Sequence, residues 1–153
     1  MTKQTLEPPT DLPTSLSLRW EQVAARLSEL PPGVLDDHPL AAATLPRVAV
    51  CSDFALSVLL RQPEKLINRL RDRSALSPND VAAGFDLHSC DEATAMRNLR
   101  QIRQTEMARI AWQDLSGWAD LATNLSDLSA LAGGAIQAVL QFAADQLERR
   151  YGR

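Results

Sequence analysis

His38, Cys51, His88, Cys90 and Asp91 include side chains of the types that ligate metal ions. Structural zinc sites draw their ligands from paired motifs such as C-x-x-C or H-x-x-x-H, because four donors must converge to about 2.0–2.3 Å from one ion. His88-x-Cys90 comes nearest, and neither zinc spacing occurs. The pattern therefore implies no metal site and reads as two core cysteines and two loop histidines. Covalent catalysis is equally unsupported, since there is no G-x-S-x-G and neither cysteine has a base at a recognisable spacing. Nucleotidyl or phosphoryl transfer needs paired carboxylates to hold magnesium and a glycine turn to cradle phosphate. No D-x-D is present, and Gly133-Gly134 falls inside a helical pattern with no Walker lysine after it. The expectation is a chain with no catalytic, cofactor-binding or metal-binding residue of its own.

The most regular polar spacing is in Arg97, Arg100, Arg103, Glu106, Arg109 and Asp114. Residues 100, 103, 106 and 109 recur every three, so on a helix they form one slowly drifting ladder. Glu106 can pair with Arg103 and Arg109 at i±3, each pair contributing about 0.2–0.5 kcal/mol. Such a run is ordinarily a solvated face. This one borders Leu99, Ile102, Met107 and Ile110, which makes Arg100, Arg103, Glu106, Arg109 and Asp114 the candidate interdomain surface. Guanidinium forks suit that role because they grip carboxylate or phosphate with two donors. A second basic stretch, Arg61, Lys65, Arg69, Arg71 and Arg73, is diluted by Glu64 and Asp72. It lacks interleaved aromatics, so nucleic acid is not an expected partner.

The elements that position these groups should all be helices. The chain holds 24 Leu and 22 Ala against 7 Val and 4 Ile, with aromatics at 5%. Leu and Ala lose little on entering a helix, whereas sheets draw on β-branched and aromatic residues. Pro8, Pro9 and Pro13 mark residues 1–14 as a flexible arm, and residues 15–153 then form a single helical domain. Leu16, Trp20, Val23, Leu27 and Leu30 lie on one helical face, closed by Pro31-Pro32-Gly33. A helix over 40–50 tolerates Pro46 only near its start or as a kink. Ser52 caps a helix over 53–61, and Pro63 opens one that buries Leu66, Ile67 and Leu70. Ser77-Pro78-Asn79-Asp80 starts a short helix stopped at Gly84.

No proline follows Pro78. Ser89 and Glu92 fit a capping box for a helix over 91–115, about 37 Å long, with Leu99, Ile102, Met107 and Ile110 inward. Gly117 breaks it. Asp120 then caps a helix over 121–149 whose stripe runs through Leu121, Leu125, Leu128, Leu131, Ala135, Val139, Phe142 and Leu147. A five-residue turn predicts that the two long helices form an antiparallel hairpin. Gly133 and Gly134 cost about 1 kcal/mol each inside a helix, so another helix should approach them closely.

Net charge is −3 with both signs dispersed, so no overall field recruits nucleic acid or an anionic membrane. No run approaches about 18 consecutive apolar residues, so no membrane span is expected. Two cysteines do not make a disulfide scaffold, and the cytoplasm is the expected compartment.

Several segments are similar to the bacterial glutamine synthetase adenylyltransferase family. They are Ser52-Asp53-Phe54 with Leu59-Leu60-Arg61-Gln62-Pro63-Glu64, the string LRQIRQTEMARIAWQDLSGWADL over 99–121, LSALAG over 128–133 and ERRYGR over 148–153. The resemblance implies a two-halved enzyme in which helical segments accompany nucleotidyltransferase domains. One half removes adenylyl groups from glutamine synthetase and the other adds them. Met1 and the polar arm resemble the start of the adenylyl-removing half. The family's glycine turn and paired aspartates find no match here, so no catalytic residue carries over. Magnesium and ATP or ADP are implied for the full-length enzyme only. Its implied partners are glutamine synthetase, the PII signal protein and the nucleotidyltransferase domain of the same polypeptide. A stand-alone helical interaction module with no enzymatic role is the alternative.

Overall fold

The computed structural model describes residues 14–72, 74–85 and 90–152. Among these it contains seven helices and no strand: α1 (Thr14–Leu27), α2 (Pro39–Cys51), α3 (Asp53–Arg61), α4 (Pro63–Arg71), α5 (Pro78–Gly84), α6 (Glu92–Leu115) and α7 (Leu121–Tyr151). The all-α expectation holds. The arm up to Pro13, Arg73, His88 and the Ser89 cap lie outside the described residues.

Local chemistry accounts for most of the boundaries. The Ser52 hydroxyl accepts the Ala55 amide at 3.1 Å and starts α3, while Pro63 opens α4. Ser77 starts α5 by accepting the Asp80 amide at 3.2 Å. α6 begins at Glu92 with Asp91, two residues after Ser89 in the sequence, as its cap, accepting the Thr94 amide at 2.8 Å. Asp120 does the same for α7 through Thr123. The hydroxyl and amide of Thr94 hold the Asp91 carboxyl below the ordinary range, and those of Thr123 do so for Asp120. Gly117 takes φ +66°, and Trp118 N–H returns to the Gln113 carbonyl at 2.9 Å, which satisfies an orphan carbonyl at the end of α6.

Of the two placements the sequence allowed for Pro46, near the helix start or at an interior kink, it takes the interior one in α2, where it cannot donate to the carbonyl one turn back. One expectation needs correction. Cys51 is exposed at the end of α2 and is not a core residue.

Two apolar clusters form the core. One joins α1 to α4 with Ala108 and Trp112 of α6. The other joins Val81 and Phe85 to Ala95 and Ile110 of α6 and to Leu131 and Ala138 of α7. α6 therefore runs through both. α7 touches α6, but its most extensive packing is against short α5. By length and composition alone α7 could cross a membrane. Its packed face, however, carries Asn124 and Asp127, which suits protein contact rather than lipid.

Trp112 is fully buried, and its indole N–H donates to the Thr44 hydroxyl at 3.0 Å. Thr44→Val keeps the shape and removes the acceptor. It should lower stability by about 1–3 kcal/mol in urea denaturation, the penalty for an unpaired buried donor. An unchanged midpoint would show that the indole finds another partner.

Candidate functional site

The charged side chains that converge most tightly do so inside the protein. α6 presents Glu106, Arg109 and Gln113 on one buried face, at intervals of three and four residues. Arg109 is 0% exposed. Its Nε donates to Glu106 Oε2 at 2.8 Å, Nη1 to Gln113 Oε1 at 2.7 Å and Nη2 to Asp127 Oδ2 at 2.9 Å. Asp127 comes from α7, and its Oδ1 accepts the Leu76 amide at 3.0 Å. Arg69 of α4 closes the other end with a two-pronged grip on Glu106, Nε on Oε1 and Nη2 on Oε2 at 3.2 Å. Arg69 also reaches Asp72 at 3.0 Å. The Glu106 carboxylate raises the Arg69 guanidinium further above its already high pKa.

The network thus ties α4, α6, α7 and the segment of chain before α5 through two cations and two buried carboxylates. Burying ions is unfavourable unless each lone pair and proton is met, and here the guanidinium of Arg109 is met on three sides. Asp72 is held below the ordinary carboxylate range, first by the Ser74 hydroxyl and amide.

The predicted surface residues divide. Arg100, Arg103 and Asp114 are exposed on α6, whereas Glu106 and Arg109 are interior. Glu106 pairs with Arg109 as its i+3 spacing allows, and with Arg69 from the diluted basic stretch in place of Arg103. Neither Arg100 nor Arg103 forms an ion pair with another described residue. The inward stripe also shifts: Met107 of the expected stripe is exposed, as is Met96, while Thr105, Glu106, Arg109 and Gln113 are buried. Asp127 and Gln113 escaped the sequence reading, and Arg69 entered it only as part of the diluted basic stretch. The one available signal was Asp127, the single charged residue between Asp120 and Asp145 in the α7 pattern.

A groove of about 740 Å³ between α4, α5 and α6 has Lys65, Asn68, Asn98 and Gln101 in its wall beside the Arg69–Glu106 pair. The buried charges there already neutralise one another, so they offer no free base or nucleophile. Among the described residues no three His, Cys, Asp or Glu side chains converge on a possible metal position. His38 instead caps α2 by accepting the Ala41 amide at 3.1 Å and stacks on Trp118 with ring centres 6.2 Å apart.

The family model described as glutamate-ammonia ligase adenylyltransferase matches residues 42–153. A bifunctional glutamine synthetase adenylyltransferase/adenylyl-removing enzyme of Thioalkalivibrio sulfidiphilus is 38% identical over 78% of this chain and 13% of its own length. Enzymes of the same description from Stenotrophomonas maltophilia and Shewanella loihica are each 31% identical, over 94% and 92% of this chain and 15% of their own lengths. The chain thus spans only about one-seventh of these relatives. No solved structure matches it.

Proposed function

This chain belongs to the glutamate-ammonia ligase adenylyltransferase family, and we propose that it is the helical part of such an enzyme, bracing the nucleotidyltransferase domain that adenylylates and deadenylylates glutamine synthetase. The match over residues 42–153 carries this reading. The internally satisfied network supports it, because its polar groups are spent on fixing three helices to one another. Residues 15–153 act as one such domain in this proposal. Magnesium and ATP or ADP belong to the nucleotidyltransferase domain, glutamine synthetase is the target, and the PII protein is a further partner.

The interdomain contact falls on the outer face of α6. There Arg100 and Arg103 are interleaved with the exposed Met96 and Met107, a mixture of apolar side chains and guanidinium groups, without an ion pair among the described residues, suited to a protein surface. Asp114, further along, is oriented by Asn124 at 2.9 Å.

Charge reversal tests the proposal. In this chain alone Arg103→Glu should change stability by no more than about 0.5 kcal/mol, as for an exposed site. In the longer polypeptide it should clearly reduce stability or adenylyl transfer, since a desolvated interface charge costs several kcal/mol to strand. Equal, small effects in both would return these arginines to a solvated face.

A further inference from the structure

α7 has two faces of opposite logic. Asn124, Asp127, Leu131, Gly134 and Ala138 point into the protein. The opposite side carries Leu121, Leu125, Ile136, Leu140 and Leu147, each 54–71% exposed, with Val139 among them. Counting Ala132 and Ala143 with the leucines and Ile136, successive apolar positions are three or four residues apart except between Leu125 and Ala132, where Ser129 intervenes. Ala132 and Ala143 fall on the same side, low enough to let a second helix approach. A 31-residue helix is about 46 Å long, so the stripe is long and is interrupted by a polar residue only at Ser129. Folded monomers rarely leave a contiguous apolar patch of several hundred Å² in water.

The comparisons say what is available to cover it. The family match runs through the end of α7, and the relatives are roughly seven times longer than this chain. A covalently tethered occupant enjoys an effective concentration of about millimolar, which a free partner rarely matches.

We infer that the outer face of α7 is the docking seam for the remainder of the polypeptide in longer members of the family, which lays an amphipathic helix along Leu121, Leu125, Ile136, Leu140 and Leu147. The inference rests on the proposal that this segment works inside a longer enzyme, and it identifies a second contact face besides α6. The helix that docks there presents apolar residues at three- and four-residue spacing.

Hydroxyl-radical footprinting read by mass spectrometry tests it on this chain and on the longer polypeptide that carries it. In this chain, monomeric by light scattering, Leu125, Ile136, Leu140 and Leu147 should oxidise readily. In the longer polypeptide the same residues should oxidise severalfold more slowly, and Ile136→Glu should destabilise it while leaving this chain's midpoint unchanged. Equal oxidation in both would overturn the inference. So would a homodimer of this chain that protects the face and is dissolved by Ile136→Glu, which would make a second copy the occupant. Co-sedimentation with phosphatidylglycerol vesicles, abolished by the same substitution, would overturn it in favour of a lipid surface. Deleting the segment from the longer polypeptide separates the two proposals. Unchanged transfer activity and stability would defeat the bracing role itself. Loss of both, with α7 still unprotected, would defeat only the docking seam.

Discussion

Arg109→Ala should lower the stability of this chain by about 3–5 kcal/mol, because it leaves Glu106 and Asp127 as buried carboxylates without their shared cation. For a domain whose whole stability is about 5–15 kcal/mol, such a loss approaches unfolding. The measurement is the urea midpoint by circular dichroism at constant slope, with Arg103→Ala as an exposed control expected within about 0.5 kcal/mol. The double substitution Arg109→Met with Asp127→Leu should recover part of the loss, since removing both charges removes the stranded one. A small effect of Arg109→Ala alone would mean that water enters and solvates the carboxylates, and that the network does not hold α4, α6 and α7 together.

Adjacent glycines in α7 should respond with opposite signs. A Cβ on Gly134 would lie 2.5 Å from Val81 Cβ and 2.7 Å from the Pro78 carbonyl oxygen. Backbone on one side and a β-branched side chain on the other leave little room to yield. Gly134→Ala should therefore cost about 1–3 kcal/mol through overpacking, despite its better helix propensity. Gly133 meets only Pro78 carbons at 3.7 Å, an ordinary contact, so Gly133→Ala should gain up to about 1 kcal/mol from propensity. Thermal midpoints of the two variants, measured side by side, check both signs. Destabilisation of similar size by both would show that α5 sits equally close to the two positions.

These glycines show how far one sequence can be read. Their cost inside a helix announces a close neighbour, and α5 is that neighbour. Which glycine faces it depends on the rotation of α7 about its axis, set by packing. The same rotation leaves Leu121, Leu125, Val139 and Leu147 of the expected α7 stripe exposed. Leu, Ala and Val are spread so widely around α7 that periodicity alone supports more than one inward face. Asp127 decides the matter, because only the orientation that brings it to Arg109 satisfies both ions.

Helix content and most helix starts followed from the chain itself, because Ser52, Pro63, Ser77 and Asp120 act on amides or dihedrals within a few residues of themselves. The family likeness was legible for a related reason: the string over 99–121 is a local pattern. What tertiary structure alone decided was the fate of the α6 charges. Arg69 and Glu106 are 37 residues apart, and Arg109 and Asp127 are 18 apart. No local rule predicts that pairing, since it forms only when α4 and α7 close on α6 and exclude the water that would otherwise solvate each ion. Spacing made Glu106 and Arg109 look identical in kind to Arg100 and Arg103. Burial separated them: desolvation turned the first pair into a fastening between helices and left the second on the surface.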